Sequence, residues 1–90
     1  MTVSRRYTVT GSVQGVGFRW AAQGEAERLG LVGRVRNRTD GAVEVSAQGD
    51  DAAMDEFAAW LERGPRWAEV ADVDVEPIEP LDVTSFEITR

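Results

Sequence analysis

The chain contains no cysteine and no histidine. Without cysteine there is no thiolate nucleophile, no disulfide and no thiolate metal site; without histidine there is no imidazole base, no phosphohistidine and no histidine-bound zinc. Any chemistry must therefore run on arginine, amide, hydroxyl, carboxylate or backbone groups. Lysine is missing as well, all ten basic residues being arginine, a pattern that a coding bias of the source genome explains. No apolar run approaches the ~20 residues of a membrane-spanning helix. The start, Met1 to Tyr7, lacks the apolar stretch of a secretory signal. These absences lead to the expectation of a cytoplasmic protein with no membrane partner.

What is present is enough for one domain, residues 1–90, with a single core that needs no metal or disulfide to hold it. The formal charge of −6 is unevenly spread. Residues 1–38 carry seven arginines against Glu25 and Glu27, a net +5, whereas residues 39–90 carry three arginines against fourteen acids, a net −11. The acidic total argues against nucleic acid as a partner, while the basic half can still draw in a small anion. The acids between residues 69 and 82 lack the spacing of a calcium loop, so no metal is expected.

Residues 5–13 alternate, with Tyr7, Val9, Gly11 and Val13 on one side and Arg6, Thr8 and Thr10 on the other, which reads as a strand. From Phe18 the period changes: Phe18, Ala22, Ala26 and Leu29 recur at helical spacing, and Gly30 supplies a C-terminal cap. Residues 31–37 and 42–48 read as short strands joined through Arg38-Thr39-Asp40-Gly41, where Asp-Gly is a strong hairpin signal. Val35 and Asn37 share one face there, and Arg34, Arg36 and Arg38 form a solvated row on the other. Asp50 or Asp51 caps a second helix with Met54, Phe57, Ala58 and Leu61 on one stripe, closed by Gly64-Pro65. Residues 67–75 make another strand, ended by Pro77 and Pro80, and residues 84–89 a last one with Phe86 and Ile88 inward. Trp60 and Trp67 read as packing aromatics.

The order is β-α-β-β-α-β with a short extra strand. Its compact solution is an α+β ferredoxin-like sandwich, an antiparallel sheet with two helices on one face. In that topology the first two strands run the same way with the third between them. Their ends then emerge at one edge of the sheet, two strand widths or roughly 10 Å apart.

The first of those strands ends in Gly11-Ser12-Val13-Gln14-Gly15-Val16-Gly17-Phe18-Arg19. Gly15 and Gly17 let the backbone curl until successive N–H groups face one concavity. The helix that follows adds its own free N–H groups and the positive end of its dipole. Arg19 adds a planar fork matched to two oxygens of a phosphate. Two nucleotide patterns fail here. A Walker loop needs four residues between its glycines and then Lys-Ser/Thr, whereas five separate Gly11 from Gly17 and Phe18-Arg19 follow. A dinucleotide fingerprint needs glycine where Trp20 stands. Spacing alone leaves two readings, a tight strand-to-helix connection or an anion cradle. Asn37 is equally open, as an amide bonding hairpin backbone or as a working group. Convergence of both segments at one sheet edge favours the functional reading of each.

The glycine stretch, followed by Leu29-Gly30-Leu31-Val32-Gly33-Arg34-Val35-Arg36-Asn37 and Asp40-Gly41-Ala42-Val43-Glu44, closely resembles the two signature blocks of the acylphosphatases. The resemblance runs on to the closing Phe86-Glu87-Ile88. It implies that Gln14, Gly15, Val16, Gly17, Phe18 and Arg19 bind phosphate and that Asn37 holds the attacking water, with Arg19 and Asn37 as the catalytic pair. The implied reaction is hydrolysis of an acyl phosphate to carboxylate and inorganic phosphate, with no metal or cofactor. Phosphate would be both product and competitive inhibitor, and the protein a monomer. The alternative is a non-catalytic phosphate-binding or carbamoyl-phosphate-handling accessory domain of the same fold, as found at the start of hydrogenase maturation proteins. Those are longer chains with cysteine-rich segments, so a chain ending at Arg90 without cysteine favours the free-standing enzyme. Two departures stand out: Arg34 where the family often has tryptophan, and an end at Thr89-Arg90 without the usual aromatic.

Overall fold

The computed structural model describes residues Met1 to Arg90. Seven elements follow in order: β1 (Thr2–Ser12), α1 (Phe18–Arg28), β2 (Val32–Asn37), β3 (Val43–Asp50), α2 (Asp51–Arg63), β4 (Glu69–Pro77) and β5 (Phe86–Ile88). The strands form one sheet in the order β4-β1-β3-β2-β5. This is the ferredoxin-like arrangement, with one correction: the sheet is mixed, because β5 pairs in parallel with β2 while the other pairings are antiparallel.

Both helices cover the same face. Phe18, Ala22 and Ala26 of α1 and Met54, Phe57 and Leu61 of α2 join Tyr7, Val9, Val35, Val43, Val45, Ala47 and Phe86 of the sheet in one buried cluster. Phe57 is the hub. Its ring lies 6.0 Å from Tyr7 and 6.2 Å from Phe86 in edge-on contacts and 6.3 Å from Trp60 in a stacked one. Since β4 and β5 lie on opposite edges, the chain between them must cross the other face. Gln48, which alternates outward from Ala47, holds that crossing: its Oε1 accepts from the Leu81 N–H at 2.7 Å and its Nε2 donates to the Leu81 carbonyl at 3.3 Å.

Several boundaries differ from the sequence reading. β1 starts at Thr2 instead of residue 5 because β3 runs on to Asp50 and gives Thr2, Val3 and Ser4 partners. β4 begins at Glu69, since residues 65–68 form a turn closed by the Ala68 N–H on the Pro65 carbonyl at 3.0 Å. Trp67 falls in that turn and is 71% exposed, with the Arg66 guanidinium 5.1 Å above its ring, so it is not a packing residue. Trp60 is, lying 5.7 Å from Phe18. Asp50 occupies the N-cap of α2, yet its carboxylate bonds the Met1 ammonium at 3.2 Å instead of capping. Ile88 shares its face with Phe86 but sits beyond the end of the core, 39% exposed. No helix is long and apolar enough to cross a membrane.

Candidate active site

The register of the sheet places Asn37. Val9 of β1 lies opposite Val43 of β3, and Val43 lies opposite Asn37 of β2. The three form one row across the sheet and therefore point to one face, that of the helices. Val9 and Val43 are buried there, while Asn37, at the last position of β2, is only partly buried. The hairpin beyond it is fixed by its own chemistry. The Arg38 N–H bonds the Ala42 carbonyl at 2.8 Å, and the Asp40 carboxylate accepts from the Ala42 N–H at 3.1 Å.

From the same edge of the sheet, β1 leads into residues 13–17. Gly15 and Gly17 adopt φ of 76° and 77°, a left-handed conformation that side chains with a Cβ avoid. Gly17 is the N-cap of α1, with no side chain capping the helix and no acid in its first turn. The first helical bond runs from the Ala21 N–H to the Gly17 carbonyl at 3.0 Å. The N–H groups of Phe18, Arg19 and Trp20 thus have no partner within the helix. Phe18 anchors this turn, being buried against Trp60.

The two segments enclose a cavity of about 160 Å³ lined by Val13, Gly15, Gly17, Phe18, Arg19, Trp20, Asn37 and Ile88. Arg19 is the one charged residue in it. Its guanidinium makes no ion pair and no hydrogen bond within the chain, in contrast to Arg36, which is bound twice by Glu44. An unneutralised cation beside free N–H groups and a helix N-terminus gives the cavity a positive field suited to an oxyanion. The Asn37 amide, also without a protein partner, faces it.

Five of the seven residues singled out in the sequence line this cavity: Gly15, Gly17, Phe18, Arg19 and Asn37. Val16 does not; its side chain packs against the core. Gln14 does not either. Its Nε2 donates to the carbonyls of Arg38 and Ala42, at 2.8 and 2.9 Å, and so straps the glycine loop to the hairpin that follows Asn37. The side-chain donors of Gln14 are therefore spent on that hairpin and not aimed into the cavity. Trp20 and Ile88 were missed. The signal for Trp20 lay in the helical period, which turns it outward beside Arg19 when Phe18 and Ala22 point inward.

A model of the acylphosphatase family matches residues 5–88. An acylphosphatase of Alkalilimnicola ehrlichii is 53% identical over 88 residues, covering 98% of this chain and 99% of that relative. Among solved structures, an acylphosphatase from Coxiella burnetii superimposes with a TM-score of 0.94 at 36% identity, over 98% of this chain and 93% of that one. An acylphosphatase from Bacillus subtilis gives 0.92 at 37% identity over the whole of both chains.

Proposed function

Given that this chain belongs to the acylphosphatase family, we propose that it hydrolyses small-molecule acyl phosphates, R–CO–O–PO₃²⁻, to carboxylate and inorganic phosphate, with Arg19 and Asn37 as its catalytic residues. The observation that carries this reading is the meeting of an unpaired arginine, the free N–H groups of a helix N-terminus and an unpartnered amide in one small cavity.

The backbone of residues 15–19 and the Arg19 guanidinium hold the phosphoryl oxygens. Charge on those oxygens is best neutralised in the transition state, where the cradle needs no rearrangement. Asn37 orients a water for in-line attack at phosphorus. The new P–O bond forms as the bond to the acyl oxygen breaks, and its electron pair leaves with the carboxylate. One water proton passes to a phosphate oxygen, so no side-chain base is required. A carboxylate is already a good leaving group, which suits a site without histidine or cysteine. All the residues invoked come from one chain, so a monomer of residues 1–90 suffices.

The test is a benzoyl phosphate assay with and without inorganic phosphate. Hydrolysis with competitive inhibition by phosphate supports both the reaction and the cradle; turnover insensitive to phosphate would place the chemistry elsewhere.

A further inference from the structure

Two large apolar side chains stand exposed at the mouth of the cavity. Trp20, in the first turn of α1, is 77% exposed, and Ile88, at the end of β5, is 39% exposed. The other strongly exposed apolar residues, Met1, Trp67 and Val75, line no part of this cavity. Neither Trp20 nor Ile88 belongs to the core cluster or packs against it. Both are nevertheless held on fixed backbone. The Gln23 Nε2 donates to the Phe86 carbonyl at 3.0 Å, tying α1 to β5, and the Thr89 N–H donates to the Val35 carbonyl at 2.8 Å, tying the end of β5 to β2. Ile88 lies opposite Val35, two residues before Asn37.

Leaving an indole in water forgoes burial that a core position would give it. The chemistry of the substrate identifies what would cover it. In a carboxylic–phosphoric anhydride the carbonyl carbon is one oxygen away from phosphorus. With the phosphoryl group against Arg19 and the loop, the R group must therefore leave by the mouth where Trp20 and Ile88 stand. We propose that Trp20 and Ile88 form an acyl subsite that selects apolar, and especially aromatic, acyl groups over acetyl. This rests on the acyl phosphate reading above and adds which acyl groups the site prefers.

The experiment compares kcat/KM for benzoyl phosphate and acetyl phosphate, and the inhibition constant of inorganic phosphate, in the parent and in Trp20→Ala, Trp20→Phe and Ile88→Thr. Taking each variant's preference relative to the parent cancels the intrinsic reactivities of the two anhydrides. Trp20→Ala is expected to lower the benzoyl-to-acetyl preference roughly tenfold, the scale of a lost apolar contact in a binding pocket, mainly through KM for benzoyl phosphate. Ile88→Thr shifts it the same way by less, and Trp20→Phe keeps most of it. An unchanged preference in Trp20→Ala overturns the subsite. So does an equal loss for both substrates together with weaker phosphate inhibition, which would make Trp20 a support of the cradle alone. A parent that hydrolyses neither substrate contradicts the hydrolase reading itself, and the subsite falls with it.

Discussion

Arg19 has no carboxylate to answer it and sits where a helix N-terminus already favours negative charge. Removing it should leave the fold intact, because the side chain supports nothing, and should lower kcat for benzoyl phosphate by about 10²–10³, the usual loss of one preorganised charge-stabilising donor. Steady-state kinetics of Arg19→Ala beside its circular dichroism spectrum check both halves of that statement. Asn37→Ala should lower kcat more than it weakens phosphate inhibition, since the amide serves the water and not the phosphoryl group. Gln14 predicts a third pattern. Gln14→Leu deletes both bonds that strap loop to hairpin, so kcat should fall although neither Arg19 nor Asn37 is altered, and the melting temperature should fall with it. The meeting of Arg19 and Asn37 in one cavity was legible in the sequence, because the element order brings the ends of β1 and β2 to one sheet edge, although the spacing of either segment alone left its reading open. The direction of the Gln14 side chain was not, since an amide beside a cradle can turn inward or toward any nearby carbonyl.

At the scale of elements, β2 is an interior strand, lying between β3 and β5. Gly33, with φ of 148°, brings it so close to β3 that a Cβ would meet the Ser46 carbonyl oxygen and the Ala47 Cα, both backbone. Gly33→Ala should therefore destabilise by on the order of 3 kcal/mol or more, the combined cost of backbone strain and overpacking, which urea unfolding would measure. A glycine inside a strand pattern signals such close approach, but only the pairing shows what is approached. Helix α1 carries a pH-dependent ion pair. Arg28 donates to Glu25 at 3.0 and 2.7 Å, and these bonds hold the Glu25 carboxyl below its ordinary range. A carboxyl with a lowered folded pKa contributes stability above its unfolded pKa of about 4.3 and loses it as pH falls further. Glu25→Gln should accordingly flatten the fall in melting temperature between about pH 5 and pH 3. The strand and helix types were readable from periodicity, whereas the N-terminal end of β1 was not, because Thr2, Val3 and Ser4 are strand only through their partners on β3.

For the whole molecule, the decisive fact is the strand order. Placing β3 between β1 and β2 sends the ends of β1 and β2 to one edge, which brings the glycine loop with Arg19 to Asn37. The order was legible because β-α-β-β-α-β has so few compact solutions. The parallel addition of β5 was not, since three residues reveal neither their neighbour nor their direction, and the crossing that brings them there depends on the side chain of Gln48. That late strand matters to the site, because it delivers Ile88 to the cavity mouth beside Asn37. With the phosphoryl group held at Arg19 and the loop, this architecture is expected to direct water at phosphorus and not at the acyl carbon. Hydrolysis of benzoyl phosphate in ¹⁸O-labelled water decides it. Label in the inorganic phosphate, with unlabelled benzoate, is the expected result; label in the benzoate would mean that water attacks the acyl carbon instead.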